Sequence, residues 1–277
     1  MYYMISLIKT EWLKLKKYRI FWWMLVIVAL TYPGINLMFY KVYSSITAKE
    51  GMEGSLMKML IGNPFAFPEA WHTIAYFSSW FVLVPSILII MIISNEYTYK
   101  TNRQNVIDGW SRKEFILSKL FIVLIVSIIA TLMFAIITII LGLSYSTEIQ
   151  ATRWNEQIKY VFLFLLQTFS QLSLAFFVGF IFKRSFIALG VFFFYLIIVE
   201  PSLYFLIDKY FELPTLAKLL PLELSDRLIP PAAFLGKFNK EAYEQSLDNI
   251  NLHILYTVIF TFLIWLFSIK IYNKRDL

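Results

Sequence analysis

Glu200 is the one carboxylate deep inside an apolar stretch of this 277-residue chain, with Phe186–Val199 before it and Pro201 directly after it. An ionised group at the centre of a hydrocarbon layer costs about 2.5 kcal/mol or more, so Glu200 must face protein or water rather than lipid. Two uses follow. It can be a polar element of a translocation path or gate, or a hydrogen-bonded pin between helices. Pro201 adds to the polarity, because a proline inside a helix leaves backbone carbonyls without their donor. A second polar concentration lies in another apolar stretch, at Gln167, Ser170, Gln171 and Ser173. At about 100° per residue, Gln167, Ser170 and Gln171 share one face, which serves either as interhelical hydrogen-bonding glue or as a pathway lining.

Other chemistry is scarce. Cysteine is absent, which removes disulfides, thiolate metal sites and a cysteine nucleophile. His72 stands beside Trp71 and His253 opens an apolar stretch; neither has a second metal-type ligand at helical spacing, and both read as residues of the membrane interface. No GxxxxGK[ST] phosphate loop, no HExxH and no nucleophile elbow occurs. A lipid-modifying membrane enzyme with Glu200 or His72 as acid or base is one rival reading, but it needs several polar groups converging at one depth, and here they are scattered. A non-transporting scaffold or sensor is another.

Lys100–Asp108 (KTNRQNVID) is a polar helix candidate with Gly109 suited to its C-terminal cap. Ser111-Arg112-Lys113-Glu114 then has the capping-box pattern, which starts a helix running into the next apolar stretch.

The elements that must position these residues are membrane helices. Six stretches are long and apolar enough to cross a bilayer: Ile20–Tyr40, Ile74–Ser94, Leu120–Leu143, Tyr160–Phe182, Phe186–Ile207 and Ile254–Ile269. A hydrocarbon core of about 30 Å needs roughly 20 helical residues, and only helices or closed barrels satisfy the backbone in lipid. The fold class is therefore an all-α membrane protein, one domain over residues 1–277. Pro33-Gly34 is expected to kink or end the first span. Residues 1–19 read as a helix on the membrane surface, with Ile5, Ile8, Trp12 and Leu15 on its apolar side and Lys9, Lys14, Lys16 and Lys17 for headgroups. The large residues Trp22, Trp23 and Tyr32 argue against a cleaved signal peptide. Leu213–Leu222 is too short to span and is either a re-entrant or a surface-packed helix.

Charge sorts the connections into two sets. Residues 1–19, 95–119, 183–185 and 270–277 hold 15 basic and 5 acidic residues, whereas the opposite connections hold 10 basic and 12 acidic. The positive-inside rule puts the first set, both termini and the 95–119 loop in the cytoplasm, and 208–251 outside. The net charge of +7 thus meets lipid headgroups rather than nucleic acid.

The 95–119 loop resembles the cytoplasmic loop of ABC-2 type transporter permeases. The positions that carry the likeness are Glu96, Lys100-Thr101, Arg103, Val106-Ile107, Gly109, Ser111-Arg112 and Lys119. The family usually has Gly-Thr where this chain has Lys100-Thr101, and often a proline where it has Gly109-Trp110. The layout is similar throughout: a surface helix with Glu11, Lys14 and Arg19, six spans, a long outer segment and a basic C-terminus. The resemblance implies the permease subunit of a bacterial inner-membrane exporter, paired with a second or related permease and with two cytoplasmic ATPases that hold ATP and Mg. It implies that Glu96, Lys100, Thr101, Asn102, Arg103, Gln104, Asn105, Ser111 and Arg112 belong to the coupling site; Glu200, Gln167 and Gln171 stand beside it, from their polarity within the spans, as pathway or gate candidates.

Overall fold

The computed structural model of this chain describes residues 2–48, 58–107 and 109–274, and only the backbone of residues 2–8, 103 and 106. No strand occurs among the described residues. Among the described residues five helices are long and apolar enough to cross a membrane, and a bent helix pair supplies a sixth if it forms one span.

Helix α1 (Tyr2–Lys17) breaks at Tyr18, whose extended backbone turns the chain into α2 (Arg19–Thr47). The N-terminal stripe differs from expectation. Leu15 is buried, but so is Glu11, and Trp12 stays exposed; Ile5 and Ile8 have no described side chains. Helix α2 does not end at Pro33-Gly34 but continues to Thr47, well past Tyr40. One proline removes one ladder bond, and Asn36 bridges the region by donating to Tyr32 O at 2.7 Å and to Ser78 Oγ at 3.1 Å.

The second apolar stretch is not one straight helix. Helix α3 (Ala70–Ser79) and α4 (Leu83–Thr98) meet at a 46° bend. Pro85 lies in the first turn of α4, where it has no N–H to give the carbonyl of Phe81 and its ring crowds that carbonyl. The short α5 (Thr101–Ile107) follows, then α6 (Arg112–Tyr145), α7 (Glu148–Ala151) and α8 (Lys159–Phe182).

Helix α8 is the centre of the bundle, with 56% of its most apolar window buried. It packs on α3, α4, α6, α9 and α14 (Ile250–Lys274). Gly179 permits the close approach of α4: a Cβ there would lie 3.3 Å from both the Cα and the carbonyl oxygen of Ile90. Lys183, with φ 57, closes α8 in left-handed backbone and lets α9 (Ser185–Tyr210) start two residues later. Helix α9 is peripheral, with only 17% of its window buried. It contains π-helical turns at Tyr195–Val199 and Leu206–Tyr210. The first has a local cause: Pro201 cannot donate, and the Glu200 N–H reaches Tyr195 O, five residues back.

The segment expected as one helix at Leu213–Leu222 is two, α10 (Pro214–Ala217) and α11 (Pro221–Asp226). Leu220 is extended, and Pro221 pre-sets the next helix start. Helix α11 packs into the bundle against α8 and α14, burying Leu222 and Leu224. Then come α12 (Ala233–Gly236) and α13 (Lys240–Asp248), whose N-cap Asn239 accepts from Ala242 N at 3.2 Å. The last span, α14, is longer at both ends than the 254–269 stretch.

Candidate functional site

Two polar sites occupy opposite ends of the bundle. The first is the basic end, where α1, α5, the α8–α9 link and the end of α14 gather. Lys100 takes left-handed backbone, with φ 56, and turns the chain from α4 into α5; Gly109, with φ 99, turns it out again. Ser111 Oγ accepts from Glu114 N at 3.2 Å, and Ser111 N donates to Glu114 Oε2 at 2.7 Å, so both halves of the capping box are formed. Arg112 Nη1 donates to Asn273 O at 2.7 Å, which ties the start of α6 to the end of α14. Asn102 is buried, whereas Tyr99, Gln104 and Ile107 are exposed. Thr101 Oγ1 donates to Glu96 O at 3.4 Å. The Arg103 and Val106 side chains and Asp108 lie outside the described residues.

Behind α5 sits a charge knot. Lys119 Nζ, fully buried, is 2.9 Å from both carboxylate oxygens of Glu11 and 2.5 Å from Glu96 Oε1. Lys14 adds a second cation, 3.1 Å from Glu11 and 3.6 Å from Glu96. Three helices, α1, α4 and α6, thus meet on one ammonium. Burial works against the charge on Glu11, but Lys119 and Lys14 outweigh it and hold the carboxyl below its ordinary range. The resemblance named Glu11, Glu96 and Lys119 separately and gave no contact between them. A signal for that contact exists in the sequence. Lys119 falls on the same helical face as Phe115, Ile116, Ile122 and Val123, all buried.

At the opposite end the named residues also converge. Gln167 Nε2 and Gln171 Nε2 both donate to Asp226 Oδ1, at 2.8 and 2.6 Å. Glu200, only 5% exposed, accepts at Oε1 from the backbone N–H of Glu223 at 2.7 Å. Arg227 pairs with Glu223 at 2.5 Å and donates to the Tyr204 hydroxyl at 3.3 Å. Asp226 is exposed toward a cavity, yet the protein atoms crowded around its carboxyl push it up to about 7. Glu200, Gln171, Glu223 and Asp226 line that cavity, of about 550 Å³.

Sequence reasoning missed Asp226 and Glu223, and it scattered polar groups that α11 in fact gathers. The span-four stripe divides. Ser170 and Ser173 face α14, accepting from Thr261 Oγ1 and Trp265 Nε1 at 3.0 Å each, and Gln167 and Gln171 face α11. His72 is 2% exposed, stacked on Tyr160 at 4.3 Å, with Nε2 2.9 Å from Pro230 O. His253 is buried too. Both lie beneath the outer segment, whose packing the sequence alone leaves open.

Residues 7–199 match the family described as ABC-2 family transporter protein. No curated protein matches the chain. The match spans well over half the length, and the chain belongs to the ABC-2 family of transporter proteins. It is an all-α, multi-pass membrane protein.

Proposed function

We propose that this member of the ABC-2 family is the permease subunit of an ATP-driven exporter in a bacterial cytoplasmic membrane. Its basic end and both termini face the cytoplasm. It works with a second copy or a related permease and with two cytoplasmic ATPase subunits, which hold ATP and Mg. This chain has no phosphate loop and does no chemistry on the nucleotide.

The observation that carries the proposal is the exposed helix α5 set on a rigid base. Gln104 and Ile107 face outward, and the capping box makes α5 and α6 neighbours across a fixed turn. The charge knot ties the α4–α6 base to the surface helix. An ATPase that moves α5 therefore moves α4 and α6 with it, and a small displacement at a docking surface becomes a rigid-body motion of spans. Thr101, Asn102, Arg103, Gln104 and Asn105 belong to the docking helix, entered through the turn at Lys100, with Arg103 supplying a charge-assisted bond worth about 1.5–3 kcal/mol when shielded from water.

The experiment is Arg103→Glu, read by co-purification of the ATPase and by transport. The expected result is loss of the ATPase or hydrolysis without transport, with the membrane domain eluting as before. Near-normal association and transport would overturn the coupling role. Orientation is tested separately. An Asn105→Cys variant, in a chain that has no other cysteine, should resist an impermeant thiol reagent in intact cells and react in inverted vesicles.

A further inference from the structure

We propose that the cavity between α3, α8, α9 and α11 binds an apolar organic cation, the charged head of an amphiphile. This deepens the transport proposal above and names the chemistry of its cargo or of a lipid held in its pathway. Three carboxylates, Glu200, Glu223 and Asp226, line the space, and among the described residues no lysine or arginine does, Lys218 and Arg227 lying on the adjoining space. Arg227 neutralises Glu223 from the neighbouring side. Glu200 and Asp226 take part in no ion pair among the described residues.

Glu200 points to a missing partner. One of its oxygens is held by the Glu223 N–H, whereas Oε2 is buried and has only the neutral Tyr195 hydroxyl beside it, with no cation. An ionised carboxylate withdrawn from water is stabilised most by a cation at close range. The rest of the wall suits the body of such a ligand. Tyr76 and Trp80 contribute aromatic rings, as does Tyr204, whose ring also meets Arg227, and Phe192 and Leu196 contribute apolar surface. Rings of this kind attract cations that are too large or too apolar for a carboxylate alone. The volume, about 550 Å³, fits a ligand of drug size.

The test uses the purified full chain in dodecyl maltoside with tritiated tetraphenylphosphonium as probe, without any ATPase. Its outcome is therefore independent of the coupling experiment. Saturable binding is expected, weakened at least tenfold by Glu200→Gln with Asp226→Asn. Trp80→Leu, on the opposite wall, should weaken it as well and covers the case in which the double variant fails to fold. Neutral triphenylphosphine oxide should not compete. Competition by added phosphatidylethanolamine would identify the occupant as a lipid amine headgroup, and its failure to compete would identify a free amphiphile; either supports the site. No saturable binding, equal binding by properly folded carboxamide variants, or equal competition by the neutral oxide would overturn it.

Discussion

At the basic end, Glu11 and Glu96 are buried against Lys119 and Lys14, two negative charges facing two positive. At the opposite end, Glu200 and Asp226 have only neutral donors, amide and backbone N–H groups and the Tyr195 hydroxyl. Glu11, Glu96 and Glu200 are buried and Asp226 opens on a cavity, but only the first end supplies each of its carboxylates with a counter-charge within the fold. The first is closed around its own ions, which suits a joint that must transmit motion without absorbing it. The second is left unfinished beside an open space, which suits a place where something charged arrives and leaves. The contrast also predicts opposite responses to acid. The Glu11 carboxyl, held low, adds stability above its unfolded value and loses it as pH falls; the Asp226 carboxyl, held high, favours the fold at the lower pH.

The largest expected effect comes from removing one charge of the closed knot. Lys119→Met keeps the length of the side chain but leaves Glu11 and Glu96 with only the partly exposed Lys14. Breaking a buried pair from one side costs about 3–5 kcal/mol, most of it the penalty of the charges left behind. Unfolding in detergent should shift by that much, and adding Glu11→Gln and Glu96→Gln should recover a large part of the loss. A Lys119→Met protein as stable as the parent would remove the distinction between the two ends.

A smaller effect is expected at the cap. Ser111→Ala removes the acceptor of the Glu114 N–H and should cost about 1 kcal/mol, as such caps do. Because α6 is long and anchored on both sides, the loss should appear locally. Amide exchange at 112–115 should speed up roughly fivefold, on the scale of 1.4 kcal/mol per factor of ten. Unchanged exchange there would mean that the turn between α5 and α6 is held by something other than the cap.

Much of this was legible in the chain itself. Continuous apolar stretches announce spans, because nothing else in such a sequence satisfies lipid. The turn at Gly109 and the Ser111–Glu114 box are local, so their signals sit beside their effects. The break between α3 and α4 was not read, since Pro85 alone marks it within an otherwise apolar stretch. The Asp226 site was less accessible still. Its partners Gln167 and Gln171 are 59 and 55 residues away, and the acidic segment that carries it reads as solvated until α11 is seen to fold back into the bundle. Glu200 stood out because hydrocarbon makes an isolated carboxylate conspicuous; Asp226 did not, because its neighbours in sequence are polar.

The finest test of the contrast is a pH series on Asp226→Asn. Asparagine keeps an oxygen that can accept from Gln167 and Gln171, so the bonds persist and only the titration goes. The folded carboxyl sits at about 7 against an ordinary value of 3.8, because of the protein around it, with Glu223 and Glu200 adding to the rise. Between those values the folded state holds a proton that the unfolded chain has released, so wild-type stability falls as pH rises from about 4 to about 7 and levels off above. The residue is exposed toward the cavity, which makes the slope shallower than full burial would give. The difference in Tm between Asp226→Asn and the parent should therefore move in favour of the variant between pH 5 and pH 8. Lys119→Met offers no such gain at high pH, because its carboxylates lose a cation that they need in the charged form. A Tm difference that stays the same at both pH values would place Asp226 with the compensated charges, and the two ends would no longer differ in kind.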